Sequence, residues 1–223
     1  MDEPRIAAAN ALLARPPAPG LALSRTLGLH VVAHLAAVSF VGHGDFREVY
    51  DTNIVGTLNL LQALEGLATP PSAVLLASSA NVYGNAVVDP ITEDVPPAPA
   101  NDYAVSKLAM EHAARLRAGR LPIVTVRPFN YTGVGQAPHF LLPKIVDHFR
   151  RGDRRIELGN LDVARDFSDV RDVVVIYRRL IERAPPGTLV NVCSGAAWTL
   201  SEVLALMGEI AGYWIDVTVN PAF

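Results

Sequence analysis

Apolar residues recur along this chain in two rhythms, and the alternation between them predicts the elements. Leu29 to His34 is a compact, valine-rich apolar run that reads as a buried strand. From Asp45 to about Leu64 the residues Phe46, Val49, Tyr50, Ile54, Leu58 and Leu61 fall at three- and four-residue spacing. That is the stripe of an amphipathic helix, with Asp45 placed to cap its first turn. Ala73 to Ala77 and Ile123 to Val126 are further short buried strands, and Tyr103 to Arg117 is a helix capped by Asn101 or Asp102. The later part continues with helices Leu141 to Arg151, Asp172 to Arg183 and 200 to 211, and with strands Leu189 to Cys193 and Ile215 to Val219. Thr199 followed by Glu202 has the spacing of a capping box at the last helix.

Proline interrupts the pattern twice. Pro4 to Arg15 reads as an alanine-rich helix stopped by Pro16-Pro17-Ala18-Pro19-Gly20, and Asp89 to Ala100 reads as a proline-rich loop. Short buried strands flanked by helices predict an α/β fold with a mostly parallel, doubly wound sheet. The helix from Leu141 and the arginine-rich turn after it are expected to belong to a small lobe set on that sheet.

Composition narrows the function. The 223 residues are 50% apolar and 18% charged, enough for a real core, so disorder is excluded. A formal net charge of -3 argues against a nucleic-acid or anionic-membrane surface. The apolar stretch from Leu29 to Gly42 contains His30 and His34 and is too short to span a bilayer, and the acidic start Met1-Asp2-Glu3 does not suit an export signal. Cys193 is the single cysteine, which excludes an internal disulfide and points to a cytoplasmic setting. No third ligand accompanies His30 and His34, so no metal is expected, and Cys193 is expected to be a packed residue.

The sharpest chemical feature is Tyr103-Ala104-Val105-Ser106-Lys107. A four-residue spacing stacks the two side chains on one helical face, where an ammonium lowers the pKa of a phenol and makes it a usable acid/base. By itself the pair also fits an ordinary exposed helix surface. Ser78-Ser79-Ala80-Asn81-Val82-Tyr83-Gly84 follows directly on a strand, at the end where parallel sheets bind ligands. Such serines commonly serve as caps, but Ser79, one strand-helix unit before the Tyr-Lys pair, completes a Ser-Tyr-Lys set.

With these motifs in order, the chain resembles the extended short-chain dehydrogenase/reductases that act on nucleotide sugars. The resemblance also rests on His34-Leu35-Ala36-Ala37, Asn53-Ile54-Val55-Gly56-Thr57, Arg127-Pro128-Phe129-Asn130, Leu158-Gly159-Asn160, Arg165-Asp166-Phe167-Ser168-Asp169-Val170 and Asn191-Val192-Cys193-Ser194-Gly195. Within that family the pieces at Leu158 to Asp162 and at Asn191 to Gly195 are most similar to GDP-4-keto-6-deoxy-mannose reductases. The resemblance implies Tyr103 as proton donor, Lys107 as the holder of the nicotinamide ribose, and Ser79 as the donor to the sugar carbonyl. It implies Ala36, Ala37, Asn53 and Pro128 at an NADP or NAD cofactor, and Asn81, Asn130, Asn160 and Arg165 at the nucleotide sugar, a GDP-sugar being favoured.

Ala80 and Asn81 stand where the nucleotide-sugar dehydratases that the chain also resembles carry an Asp-Glu or Ser-Glu pair, so the resemblance disfavours water elimination. Keto-group reduction and 4-epimerisation both stay open. So does a non-catalytic remnant that binds a nucleotide sugar or a partner subunit, because no Gly-x-x-Gly-x-x-Gly precedes Leu29. The expected organisation is therefore an incomplete Rossmann-like core over 1–128, lacking its first strands and glycine-rich loop. A mixed segment over 129–223 carries substrate-binding elements and a strand that returns to the core sheet. The resemblance further implies a homodimer built on the helices Asp45 to Leu64 and Tyr103 to Arg117.

Overall fold

The structure is a computed structural model that describes residues 30–39 and 44–220. The expected helix Pro4 to Arg15 and its proline stop lie outside the described residues. The chain divides into two compact units, one holding the residues up to Pro128 together with Val175–Val192, the other Phe129–Val174 and the residues from Cys193 onward.

The first unit is a parallel α/β layer. Strands β1 (Val31–His34), β2 (Ala73–Ala77), β3 (Ile123–Pro128) and β7 (Leu189–Val192) lie in the order β1-β2-β3-β7. All are parallel, with Val32 beside Val74, Leu75 beside Val124 and Val126 beside Val190. Every residue of β2 and β3 is buried, as continuous apolar runs in a helix-covered parallel sheet should be. β1 follows that rule only at His34. Val31 is 44% exposed, because among the described residues β1 has a strand neighbour on one side only.

The helix expected from Asp45 forms, but not as one uniform α-helix. Asp45 caps α1 (Phe46–Tyr50) by accepting from the amides of Arg47 and Glu48, a π-helical stretch follows over Asp51–Gly56, and α2 (Thr57–Glu65) completes the rod. Leu60, Leu61 and Leu64 of α2 meet Met110 and Ala114 of α3 (Asp102–Arg115), and together they cover Val74 and Leu76 of β2. Fully burying a leucine contributes about 1.5–3 kcal/mol, so this cluster fixes both helices against the sheet. Of the two candidate caps for α3, Asn101 does the work, its Oδ1 accepting from the Ala104 amide at 2.8 Å. Asp102 instead accepts from the Tyr50 hydroxyl at 2.6 Å, tying α1 to the start of α3.

The second unit contains strands that the apolar pattern does not announce. β4 (Asn130–Thr132), β6 (Ala164–Asp169) and β8 (Ala197–Thr199) form one small sheet, parallel between β4 and β6 and antiparallel between β6 and β8. β9 (Asp216–Val219), expected from the run at Ile215, stands outside the four-stranded sheet and pairs in parallel with β5 (Arg155–Leu158). Between them α4 (Leu141–Arg151) and α6 (Leu200–Ala211) enclose Ile145, Phe149, Ile156, Leu158 and Leu200. The capping box at α6 is complete: Thr199 Oγ1 accepts from the Glu202 amide at 3.2 Å, and Glu202 Oε2 accepts from the Thr199 amide at 2.7 Å. Helix α5 (Val170–Arg183) is divided between the units. Cys193 is exposed just after β7, not packed as the sequence suggested, because β7 ends one residue earlier than expected. Among the described residues no helix is long and apolar enough to cross a membrane.

Candidate active site

In a parallel sheet all strands deliver their carboxyl ends to one edge, and in the first unit the sequence-selected residues gather there. β1 runs into Ala36 and Ala37, β2 into Ser78 and Ser79, and β3 ends at Pro128. Ser79 is 8% exposed in extended backbone, and its Oγ accepts from the Asn81 amide at 3.2 Å, capping the 3₁₀ turn Ala80–Tyr83. The cap reading of this serine is thus borne out, and that bond uses its oxygen as acceptor, not its hydrogen. Asn81 itself is exposed on that turn. Gly84 ends the turn at φ +62°, where a Cβ would lie 1.9 Å from the Ala98 carbonyl oxygen, so only glycine lets the Asp89 to Ala100 loop close on it.

Helix α3 brings Tyr103 and Lys107 to the same place. Lys107 is 3% exposed, its Nζ donates to the carbonyl of Ala77, the last residue of β2, at 2.7 Å, and the ammonium lies 5.8 Å from the centre of the Tyr103 ring. Burial lowers the Lys107 pKa from 10.5 to about 8. The bland alternative of an exposed surface pair is excluded by that burial. An ammonium has three N–H donors, and Ala77 takes one.

Asn53 lies in the π-helical stretch and is fully enclosed. Its Oδ1 accepts from the Val38 amide at 2.9 Å, while its Nδ2 donates to the Val38 carbonyl at 3.1 Å and to Ser106 Oγ at 2.9 Å. Ser106 in turn donates to the Tyr103 carbonyl at 2.7 Å. One amide therefore pins the segment after β1 to the first turn of α3, and the wider π turn, a shape that recurs at functional sites, is what admits it.

His34 was not selected for chemistry in the sequence, yet it belongs to this cluster. Thr57 Oγ1 spends its hydrogen on the Asn53 carbonyl at 2.7 Å, so at the 2.9 Å contact with His34 it must accept from Nε2. Nδ1 is left as a buried lone-pair nitrogen with no hydrogen-bond partner. Burial first, and the Lys107 charge second, lower the His34 pKa to about 4, so the ring is neutral at ordinary pH.

The sequence reading also missed a buried polar network behind Ser79. Ser78 Oγ donates to Glu111 Oε1 at 2.5 Å, and Arg127 holds Glu111 in a bidentate grip through Nε at 2.9 Å and Nη2 at 2.7 Å. Arg127 Nη1 donates to the Tyr83 hydroxyl at 2.8 Å, which donates to Asn191 Oδ1 at 2.7 Å. Asn191 also reaches the proline-rich loop, through its Nδ2 to the Ile91 carbonyl and its amide to Glu93. The signal was present: Glu111 continues the Tyr103-Lys107 face at the same spacing, and Arg127 is a charge inside an apolar strand. Burial alone would lower the Arg127 pKa, but the hydrogen bonds to Glu111 and Tyr83 outweigh it and raise it.

The remaining selected residues lie in the second unit. Asn130 starts β4 and its Nδ2 donates to the Asp166 carbonyl at 3.1 Å; Asn160 accepts from the Asp162 amide at 3.0 Å. Arg165 is exposed on β6, cross-strand from Trp198. The adjoining Asp166 carboxylate accepts from the Ser194 amide and hydroxyl and from the Gly195 amide, so the Arg165-Asp166 and Ser194-Gly195 motifs form one unit. The arginines at the end of α4 and just beyond it are tied into local contacts, with Arg150 and Arg151 on Asp147 and Arg154 over the Tyr213 ring.

Comparison with known proteins places this architecture. The family described as GDP-mannose 4,6 dehydratase matches residues 23–219. The chain is 36% identical to the GDP-6-deoxy-D-talose 4-dehydrogenase of Aggregatibacter actinomycetemcomitans, over 86% of this chain and 65% of the relative. It is 37% identical to the GDP-6-deoxy-D-mannose reductase of Pseudomonas aeruginosa, over 86% of this chain and 66% of the relative. The chain thus spans just under two thirds of these relatives' length. Among solved structures, RMD from Pseudomonas aeruginosa complexed with NADPH superposes with a TM-score of 0.81 at 35% identity, covering 86% of this chain and 69% of that one. A protein of Burkholderia cenocepacia J2315 with a provisional epimerase assignment matches with a TM-score of 0.81 at 62% identity, covering 86% of this chain and 62% of that one. Parallel sheet, motif order and relatives agree: the chain belongs to the GDP-mannose 4,6-dehydratase family, within the extended short-chain dehydrogenase/reductases that act on nucleotide sugars.

Proposed function

We propose that this chain carries the proton-transfer site of an NADP- or NAD-dependent reductase that converts a keto group on a nucleotide sugar, a GDP-4-keto-6-deoxy sugar first of all, to the alcohol. The observation that carries the reading is Lys107, buried against the Tyr103 ring beside Ser79 at the carboxyl end of β2. The GDP-sugar relatives and the NADPH-bound neighbour support the substrate and cofactor class.

The residues present fit a nicotinamide ribose. Lys107 has two N–H groups beyond its bond to Ala77, and Ala36 and Ala37 bring only methyl groups to a segment whose backbone Asn53 holds at Val38. Pro128 closes the neighbouring strand end. A nicotinamide bound there supplies the hydride that reduces the carbonyl carbon. Tyr103 gives its phenolic proton to the oxygen as it becomes an alkoxide, Ser79 donates a hydrogen bond to the same oxygen, and Lys107 steadies the phenolate until solvent returns the proton. Ala80 and Asn81 offer no carboxyl for a dehydration. Asn81, Asn130, Asn160 and Arg165 are assigned to the nucleotide sugar, with the Arg165 fork suited to a diphosphate.

Tyr103→Phe tests the assignment. Turnover should fall on the order of 10²–10⁴-fold while nucleotide-sugar affinity holds, and full turnover in this variant would sink it. A 4-epimerase reading has its own support in the 62% identical structure. It is separated by stoichiometry, since an epimerase consumes no net NADPH. A chain that binds neither NADPH nor a nucleotide sugar in titration would favour the non-catalytic alternative.

We further infer a cytoplasmic homodimer. The single cysteine supports the compartment, and exposed Phe46, Val55 and Val105 on the 46–65 rod and α3 support the contact surface. Fractionation and sedimentation check the two statements.

A further inference from the structure

We propose that the buried Glu111–Arg127 pair is a two-point clamp that positions Ser79, and that Ser78 and Tyr83 are its positioning residues. The inference rests on the reductase reading of Ser79.

The turn after β2 is weakly self-supporting. Its internal bonds run from the Asn81 amide to Ser79 Oγ at 3.2 Å, from Val82 to Ser79 at 3.2 Å and from Gly84 to Asn81 at 3.0 Å. Each links residues within the turn and none refers it to α3, where Tyr103 stands. Lys107 ties the strand end at Ala77 to α3, and the residues flanking Ser79 are tied by two hydroxyls, one on either side of it. Ser78 is held by the Glu111 carboxylate and Tyr83 by the Arg127 guanidinium, and carboxylate and guanidinium are locked to each other by two hydrogen bonds.

Glu111 lies on the face of α3 that already carries Tyr103 and Lys107, two turns along. The clamp therefore measures the serine from the same helix that measures the tyrosine, and keeps the two proton-handling oxygens in a fixed relation. Asn191 of β7 extends the brace from Tyr83 to the loop at Ile91 and Glu93.

The energetics favour positioning over stability as the role. Both charged side chains are 2% exposed, and desolvating an ion pair commonly offsets the attraction it gains, so apolar residues of the same volume would stabilise the fold at least as well. A carboxylate and a planar fork, unlike apolar residues, hold two hydroxyls at fixed points.

Removing either charge leaves the other buried and unpaired, which threatens folding itself. Tyr83→Phe and Ser78→Ala are gentler. Tyr83→Phe keeps the ring that stacks 4.8 Å from the guanidinium carbon and deletes only the hydroxyl. With NADPH and a GDP-4-keto-6-deoxy sugar, each variant should lower kcat on the order of 10–100-fold with KM for the sugar within about twofold. In a Ser79→Ala background the same replacements should cost less than about twofold, because a clamp acts only through what it holds. Losses that multiply unchanged in that background would overturn the proposal.

A second readout needs no turnover. In the unliganded chain, Tyr83→Phe should speed amide hydrogen exchange at Asn81, Val82 and Gly84, leaving β3 and the middle of α3 as protected as before. If the wild-type chain shows no reduction at all, the reductase reading fails by itself. Exchange confined to the turn would still support the clamp, and exchange raised throughout the unit, or nowhere, would contradict it.

Discussion

Lys107 is a side chain the fold holds at a cost. Its pKa of about 8 in the folded chain, against 10.5 when unfolded, means that the unfolded state binds the extra proton between those values. Stability from this group therefore rises as pH climbs from about 8 towards 10.5, and below 8 a constant penalty of up to about 3 kcal/mol is carried. In the proposed mechanism, that retained charge is what steadies a Tyr103 phenolate. Lys107→Met removes it, so the stability of the wild type relative to this variant should climb between pH 8 and 10 in urea unfolding. A flat difference over that range would show that the buried ammonium is not strained.

At this scale the sequence was legible where spacing encodes chemistry. Tyr103, Lys107 and Ser79 stood out because a helical repeat and a strand end leave marks in order. Glu111 and Arg127 left marks of their own, but their partnership and the neutral ring of His34 rest on contacts between residues distant in the chain, Arg127 with Glu111 and His34 with Thr57. No periodicity encodes such a pair.

At the scale of elements, strands and helices whose apolar side faces a core were readable nearly to the residue. β2, α4 and α6 begin and end where the pattern places them, since Ala73–Ala77, Leu141–Arg151 and Leu200–Ala211 each bury a continuous or regularly spaced set. The short strands β4, β5, β6 and β8 were missed because their residues are exposed or only half-buried, or, in β5, alternate over just four positions, and sheet pairing alone defines them. The π stretch at Asp51–Gly56 was hidden for a different reason. The buried positions Val49, Asn53 and Thr57 fall at four-residue steps that an ordinary α-helix also shows, and it is the enclosed Asn53 side chain that gives the turn its purpose.

The same rod and α3 carry the prediction about assembly. If exposed Val55 and Val105 face a second copy, Val55→Glu combined with Val105→Glu puts charge into a buried contact. The dimer dissociation constant in sedimentation should rise on the order of tenfold or more, with the fold unchanged by circular dichroism. A wild-type chain that stays monomeric at micromolar concentration contradicts the dimer.

For the whole molecule, the strand-helix alternation predicted a mostly parallel, doubly wound sheet with a small lobe, and among the described residues the chain builds a four-stranded parallel sheet with sheets of three and two strands beside it in sequence. The α/β class was set by the buried runs of β2 and β3, whereas the destination of β9 was not, since an apolar strand near the end of a chain fits several neighbours equally well. Residue, element and family observations all bear on the proposed role of Tyr103, Lys107 and Ser79 in hydride reduction of a nucleotide-sugar ketone. The direct measurement is transfer of label from NADPH carrying deuterium at both positions of the dihydronicotinamide C4 to a GDP-4-keto-6-deoxy sugar. Deuterium is expected on the ring carbon that was the ketone, with one NADPH oxidised for each sugar reduced. An unlabelled product, or a changed sugar with NADPH undiminished, would contradict it.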